Sequence, residues 1–236
     1  MHFNSQAGAG ASDETGRSLL EAAGEVFAEE GFRQATVREI CRRAGANIAA
    51  VNYHFGDKET LYAEVLRYAH QKAFEKYPLV PRLRAGASPA AQLHAFVKSF
   101  LLRLFDQGPT SWFGRMMLRE MIEPTEALDH LLEERMRPMT RQLREIVAAI
   151  LHCGPEEDRV RLCSLSVVSQ CVFYHHCRRI VSQLFPEQPL DASAAGVLAD
   201  HITRFSLAAL THLPESQPPG GRRRRCRRNA APKMNP

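Results

Sequence analysis

The chain has 236 residues, 44% of them hydrophobic, and a formal net charge of +5. That supports one large domain or two small ones with real cores, and the lack of any 18-residue apolar run predicts no membrane span. The charge itself misleads: residues 222–228 and Lys233 hold seven positive charges and no acid, so the remainder stands at −2. Residues 1–15 are polar and glycine-rich, without the charged-then-apolar layout of a secretory signal. A cytoplasmic protein is expected, with residues 1–12 as a disordered arm. Its six cysteines are then expected as reduced thiols, mostly buried.

The first predicted helix carries Leu19, Leu20, Ala23, Val26 and Phe27 on one face and ends at Gly31-Phe32. Thr36 can cap a second helix through its hydroxyl, and Glu39 three residues on completes a capping box. Val37, Ile40, Cys41 and Ala44 share the inner face of that helix. Gly45 can take the left-handed conformation that ends it at low cost. Asn47 can cap a third, short helix in which small Ala49 and Ala50 stand beside Asn52, Tyr53 and His54. A helix that enters a DNA groove wants small residues where it lies close and polar ones where it reaches bases or phosphates. Two short helices joined at one glycine turn therefore read as a helix-turn-helix. Asp57 can cap a fourth helix, and Lys58 sits in its first turn. A cation there opposes the helix dipole, which makes sense where it faces a phosphate.

Ala23, Phe27, Gly31-Phe32, Thr36-Val37-Arg38-Glu39-Ile40, Ala44-Gly45, Tyr53-His54-Phe55 and Lys58-Glu59-Leu61 stand at fixed spacing over residues 15–62. Together they resemble the DNA-binding domain of the TetR/AcrR family of bacterial transcriptional regulators. Many members carry Lys or Arg near position 48 and Tyr near position 52, where this chain has Ile48 and Asn52. The stretch Asn47–Gly56 is similar instead to a subgroup that includes CecR-type regulators. The resemblance implies DNA contact by Thr36, Arg38, Ala46, Asn47, Ala49, Asn52, Tyr53, His54 and Lys58, with Tyr53 and His54 on phosphates. Asn52 suits a bidentate pair with adenine; a phosphate or intrahelical bond is the alternative.

Helical periodicity continues to residue 213, with no strand or hairpin signal. The helix from Asp57 runs to Tyr77 and stops at Pro78 and Pro81. A connector over 78–88 follows, then a helix capped by Ser88 and opened by Pro89. Gly108-Pro109 breaks it, and Ser111 is placed to cap a helix carrying Trp112 to Met121. A long segment over 125–153 contains Pro138, where a kink is expected. The next helix, 156–185, is apolar around much of its circumference, and Asp191 is placed to cap the last. These two are either central core or half of a four-helix dimer interface. The family resemblance implies the second.

The expected architecture is all-α. A three-helix helix-turn-helix domain spans 13–60, a larger helical effector-binding and dimerisation domain spans 61–213, and a disordered basic tail spans 214–236. Trp112, Phe113, Met116, Met117, Phe173 and Tyr174 can line an adaptable pocket, with Arg119, Glu120 and His175 orienting a ligand; ordinary core packing is the alternative. Cys171 and His175, one helical turn apart, can face one ion, but two further ligands are wanting. No metal or cofactor is expected, and nothing near the cysteines plainly lowers a thiol pKa. The tail can add phosphate contacts or be a solvated terminus.

The function expected is that of a homodimeric DNA-binding regulator, paired through its last two helices. It would repress from a palindromic double-stranded operator and be released by a small-molecule effector. An activator, or a DNA-binding regulator without a ligand, is the alternative; metal and thiol sensing rank behind. An enzyme is not expected. There is no glycine-rich phosphate loop, no His-Glu-x-x-His and no nucleophile elbow, and Glu133-Glu134 and Glu156-Glu157-Asp158 read as solvated helix residues or caps.

Overall fold

Caps and glycines set the helix boundaries in the computed structural model, which describes residues 5–78, 86–108 and 111–212, with side chains from Asp13 onward. The helices are α1 Ser5–Gln34, α2 Val37–Ala44, α3 Ile48–His54, α4 Lys58–Lys76, α5 Pro89–Leu104 and α6 Phe113–Ile122. They continue as α7 Glu126–Leu131, α8 Arg137–Leu151, α9 Asp158–His176, α10 Arg178–Leu184 and α11 Ala195–His212. No strand occurs among the described residues, and no helix there is long and apolar enough to cross a membrane.

Several boundaries fall where the sequence puts them. Thr36 Oγ1 accepts from Glu39 N, Asp57 accepts from Thr60 N and Ser88 from Ala91 N. Gly45 is left-handed (φ 62, ψ 26), and its N–H reaches back to the carbonyls of Arg42 and Cys41. Gly31 interrupts α1 with φ 81 and ψ 166, a conformation open to glycine and costly for other residues.

Others differ. Helix α1 starts at Ser5, inside the segment expected as a disordered arm. Alanines at 7, 9 and 11 favour helix and glycines at 8 and 10 oppose it, so the gain comes from extending a formed helix, which avoids a new nucleation cost. The capping box is only half made, because the Glu39 carboxylate turns to Arg42 and Arg43. The long segment around Pro138 widens into a π-helical turn, Leu132–Met136, with the proline in the first turn of α8. There its missing N–H costs nothing, and the wider turn absorbs the break upstream. The expected helix 156–185 divides at Cys177 into α9 and α10. Ser111 does not cap α6, whose N-cap is Trp112 without a side-chain bond. Asp191 holds Ser193 one turn ahead of α11. The connector 79–85, Pro109-Thr110, and the linker and arginine tail beyond His212 lie outside the described residues.

Two apolar clusters organise the helices. One joins α5, α8, α9 and α11 around Phe96, Leu101, Val147, Val160, Leu198 and Ile202. The other gathers Leu19, Phe27, Ile40, Val51, Leu61 and Leu66 from α1–α4. The second does not stop at residue 60. It also takes Val65 and Ala69 of α4, Trp112 and Met116 of the α6 region, and Ala127 and Leu131 of α7. The helix-turn-helix head thus shares one apolar cluster with α4, the α6 region and α7.

Candidate nucleic-acid interface and the helices behind it

Helix α3 has seven residues, about 10 Å of helix, set against α1 and α2 by buried Val51 and half-buried Ala46 and Ala50. Its outer side shows Asn47, Ile48, Ala49, Asn52 and Tyr53, with Tyr53 78% exposed. Asn47 spends its Oδ1 on the N–H of Ala49. Its amide nitrogen stays free for an acceptor outside the protein. Thr36 and Arg38 are exposed at the start of α2.

Two expected contact residues sit differently. His54 is half-buried and its ring lies against Gly16 of α1, where an added Cβ would come within 3.4 Å of Nδ1. Its ring meets Tyr53 edge-on, with centroids 5.0 Å apart. His54 therefore props Tyr53 from behind. Lys58 is half-buried too, its Nζ 4.8 Å from the centre of the Phe32 ring and 3.4 Å from the Arg33 carbonyl oxygen it donates to. That carbonyl partly offsets the dipole penalty read from the sequence.

Charge on this face is sparse. Arg42 and Arg43 both bond Glu39, and Arg43 also reaches Glu29 at 2.8 Å. Arg42's hydrogen bonds, then Arg43's, hold Glu39 down to about 2, so it stays ionised and keeps both cations occupied. Arg38 has no ion pair among the described residues. One head has little with which to neutralise phosphates. Exposed Ile48 (51%) belongs to this surface but was left out of the expected contacts. It stands on the reading helix where the resemblance suggests a base, which was the signal available.

The nine residues expected around a pocket fall in two groups among the described residues, one on the α6 region and one at the end of α9. Trp112, Met116 and Glu120 recur one turn apart and face the head, each at most 2% exposed. The Trp112 indole fills the dent at Gly24 of α1, where a Cβ would lie 2.2 Å away. Phe113 and Met117 pack on the same cluster. Arg119 donates to the carbonyls of Ala28 (3.2 Å) and Glu29 (2.6 Å), the last turn of α1 before Gly31. Glu120 accepts from the Tyr62 hydroxyl of α4 at 2.5 Å and from Thr125 N at 2.9 Å. Burial, then that bond, pushes the Tyr62 pKa up, so Tyr62 remains the donor.

Helix α6 is consequently a joint between body and head. Aromatic and methionine content fits a joint as well as it fits a pocket. Phe173 is 53% exposed on α9, Tyr174 packs on the body cluster, and His175 lies against Gly114, held down to about 4 chiefly by burial. No three His, Cys, Asp or Glu side chains gather around an ion position among the described residues. Burial pushes Cys171 up to about 12, the opposite of a reactive thiol.

A cleft of about 540 Å³ opens elsewhere, between α4 and the π-helical turn with the start of α8. His70, 6% exposed, lines it. Burial first, then Arg135 and Arg103, hold His70 down to about 4 from an ordinary 6.5. The unfolded chain takes up this proton near pH 6.5 and the folded chain near pH 4. The stabilisation is therefore complete above 6.5 and is lost as pH falls toward 4. Between about pH 7 and 5 a His70→Asn variant is expected to lose about 2 kcal/mol less stability than the unchanged chain. Urea unfolding at both pH values measures this; equal losses would place the proton uptake on other groups.

Comparison with known proteins agrees with this architecture. Residues 19–65 match the bacterial regulatory proteins of the tetR family, and residues 89–210 match the C-terminal domain of the HTH-type transcriptional dual regulator CecR. The chain is 28% identical to CecR of Shigella flexneri over 169 residues, 67% of this chain and 74% of that protein. It is 26% identical to the transcriptional repressor NicS of Pseudomonas putida over 208 residues, 86% and 93% of the two chains. Among solved structures it is similar to the TetR family regulator PfmR of Thermus thermophilus. There the TM-score is 0.56 at 25% identity, covering 79% of this chain and 97% of that one. A tetR-family regulatory protein of Rhodococcus RHA1 shares the fold with a TM-score of 0.60 at 20% identity, covering 83% and 96%.

Proposed function

The chain belongs to the TetR family of DNA-binding transcriptional regulators, with a CecR-type C-terminal domain, and from that premise we propose that it is a cytoplasmic homodimeric repressor released from a palindromic operator by a small-molecule effector. The family is one of regulators, not enzymes. The observation that carries the reading is α3, a capped helix whose outer face is left bare by the rest of the described chain. NicS is named a repressor and CecR a dual regulator; repression is the direction proposed here.

Pairing is supported by apolar side chains that nothing in the described chain covers. Leu162, Leu165 and Phe173 on α9, Ile180 and Leu184 on α10, and Val197 and Phe205 on α11 are each more than half exposed. A second copy would cover them, and two-fold pairing would present two α3 helices to successive major grooves. The sparse charge of a single head fits that need.

Release is supported by the α6 joint. Trp112, Arg119 and Glu120 tie α6 to α1 and α4, so a ligand that shifts α4 against α6 would tilt the head. Linkage requires that operator DNA weaken ligand binding by the same factor.

Selection of bound duplexes from random DNA at about 150 mM salt, where weak phosphate attraction is screened, tests the reading. An inverted repeat is expected, and recovery of no motif would overturn it. On the selected sequence Asn52→Ala is expected to cost about 1–3 kcal/mol of specific binding and leave the dimer intact. Mobility-shift titration reads this, and unchanged affinity would remove Asn52 from the reading surface.

A further inference from the structure

The cleft between α4 and the start of α8 combines an apolar wall with one arginine outside any ion pair and a buried, neutral imidazole. Phe74, Pro138 and Met139 supply the wall, and Arg135 and His70 stand beside it. Two acids also line the cleft, each turned to a lysine or arginine: Glu75 holds Lys72 at 3.0 Å, and Glu134 lies 3.4 Å from Arg67. Arg135 has no ion pair among the described residues.

Behind the wall, Arg103 stacks on Phe74 with its guanidinium carbon 4.2 Å from the ring centre. It donates to the Tyr77 carbonyl at 2.7 Å, while its Nη2 is buried with no hydrogen-bond partner. Burial pushes it down to about 9, which leaves it cationic at neutral pH. His70 stacks on the same Phe74 ring at 4.2 Å, and its Nδ1 is likewise buried and unpaired. A buried cation without a carboxylate and a buried imidazole nitrogen without a partner are both costly. The imidazole's cost is removed by a carboxylate that accepts from its N–H, and the guanidinium's is eased by negative charge nearby.

The geometry points to this cleft as a binding site for a small monoanionic carboxylate with an apolar body, its carboxylate met by Arg135 and His70 and its body laid on Phe74 and Met139. Arg103 acts through the Phe74 ring by adding positive potential. The volume suits a drug-sized molecule. The inference rests on the effector reading above and names the chemical class of that effector. It also gives the ligand a lever, because Phe74 and His70 belong to α4, which carries Tyr62 at its other end, bonded to Glu120 of the joint.

The test uses the full-length chain, with 4-phenylbutanoate and its neutral amide as probes, in calorimetric titrations at about pH 7.5, where carboxylates are ionised. The acid is expected to bind about 10-fold or more tighter than the amide, from charge-assisted hydrogen bonds that the amide cannot form. Arg135→Gln is expected to bring the two within about twofold, with the amide's affinity kept as a check that the cleft remains folded. Equal binding of acid and amide, a preference that survives Arg135→Gln, or no binding of either would overturn the inference. Displacement of the selected operator separates the two readings. Acid that binds through Arg135 without releasing DNA upholds the site and removes the effector role. Release by an uncharged compound, with no acid binding, does the reverse.

Discussion

Trp112→Ala is expected to lower the free energy of unfolding by about 3–5 kcal/mol, the usual cost of emptying a buried aromatic site. The indole is 2% exposed and occupies a dent that only Gly24 provides. Nothing nearby can collapse into the space without moving α1 against α6. The reciprocal change, Gly24→Val, places a branched side chain where a Cβ already lies 2.2 Å from the indole. Overpacking of that kind costs about 1–3 kcal/mol or more, and the two effects should not add, because both act on one contact. Urea unfolding followed by circular dichroism measures both, since Trp112 is the sole tryptophan and its fluorescence goes with it. A loss below about 1 kcal/mol for Trp112→Ala would show that the joint is not packed as described.

Phe205→Glu is expected to break the dimer while leaving the protomer folded. The ring is 62% exposed, so the lone chain loses little packing. In a two-fold interface, however, one substitution puts two carboxylates into an apolar seam. Burial of an unpaired charge costs about 3 kcal/mol or more, roughly a hundredfold or more in the dimer dissociation constant. Operator affinity should fall with it, because each head alone offers few free cations. Sedimentation analysis beside circular dichroism separates the outcomes. A folded dimer would move the interface away from α11; an unfolded chain would show that Phe205 serves the core.

The helix-turn-helix was legible because its instructions are local. Thr36, Gly45, Asn47 and Asp57 each act on backbone within about one helical turn, and the structure uses all four. Even there the capping box failed, since Glu39 had two arginines within one turn as stronger partners for its carboxylate. The role of α6 was illegible for the opposite reason. Gly24, the carbonyls of Ala28 and Glu29, and Tyr62 lie 58 to 91 residues away in sequence. Nothing in Trp112–Glu120 alone distinguishes a joint from a pocket wall. The period of Trp112, Met116 and Glu120 did say that one face is buried. It could not say against what. The cleft was missed because its apolar wall is short and its polar groups, His70, Arg103 and Arg135, come from three segments. Pro138 announced a disturbance, but a widened turn ahead of it and a sharp kink at it look alike in sequence.

The pairing of two heads on DNA is tested most directly by stoichiometry. Titrating the full-length chain onto the selected duplex, and onto a duplex holding a single half-site, gives the number of protomers bound and the affinity of each form. Two protomers per inverted repeat are expected, with the half-site bound at least about a hundredfold more weakly, as linked binding requires. One protomer per site, held as tightly by the half-site as by the repeat, would contradict the dimeric reading.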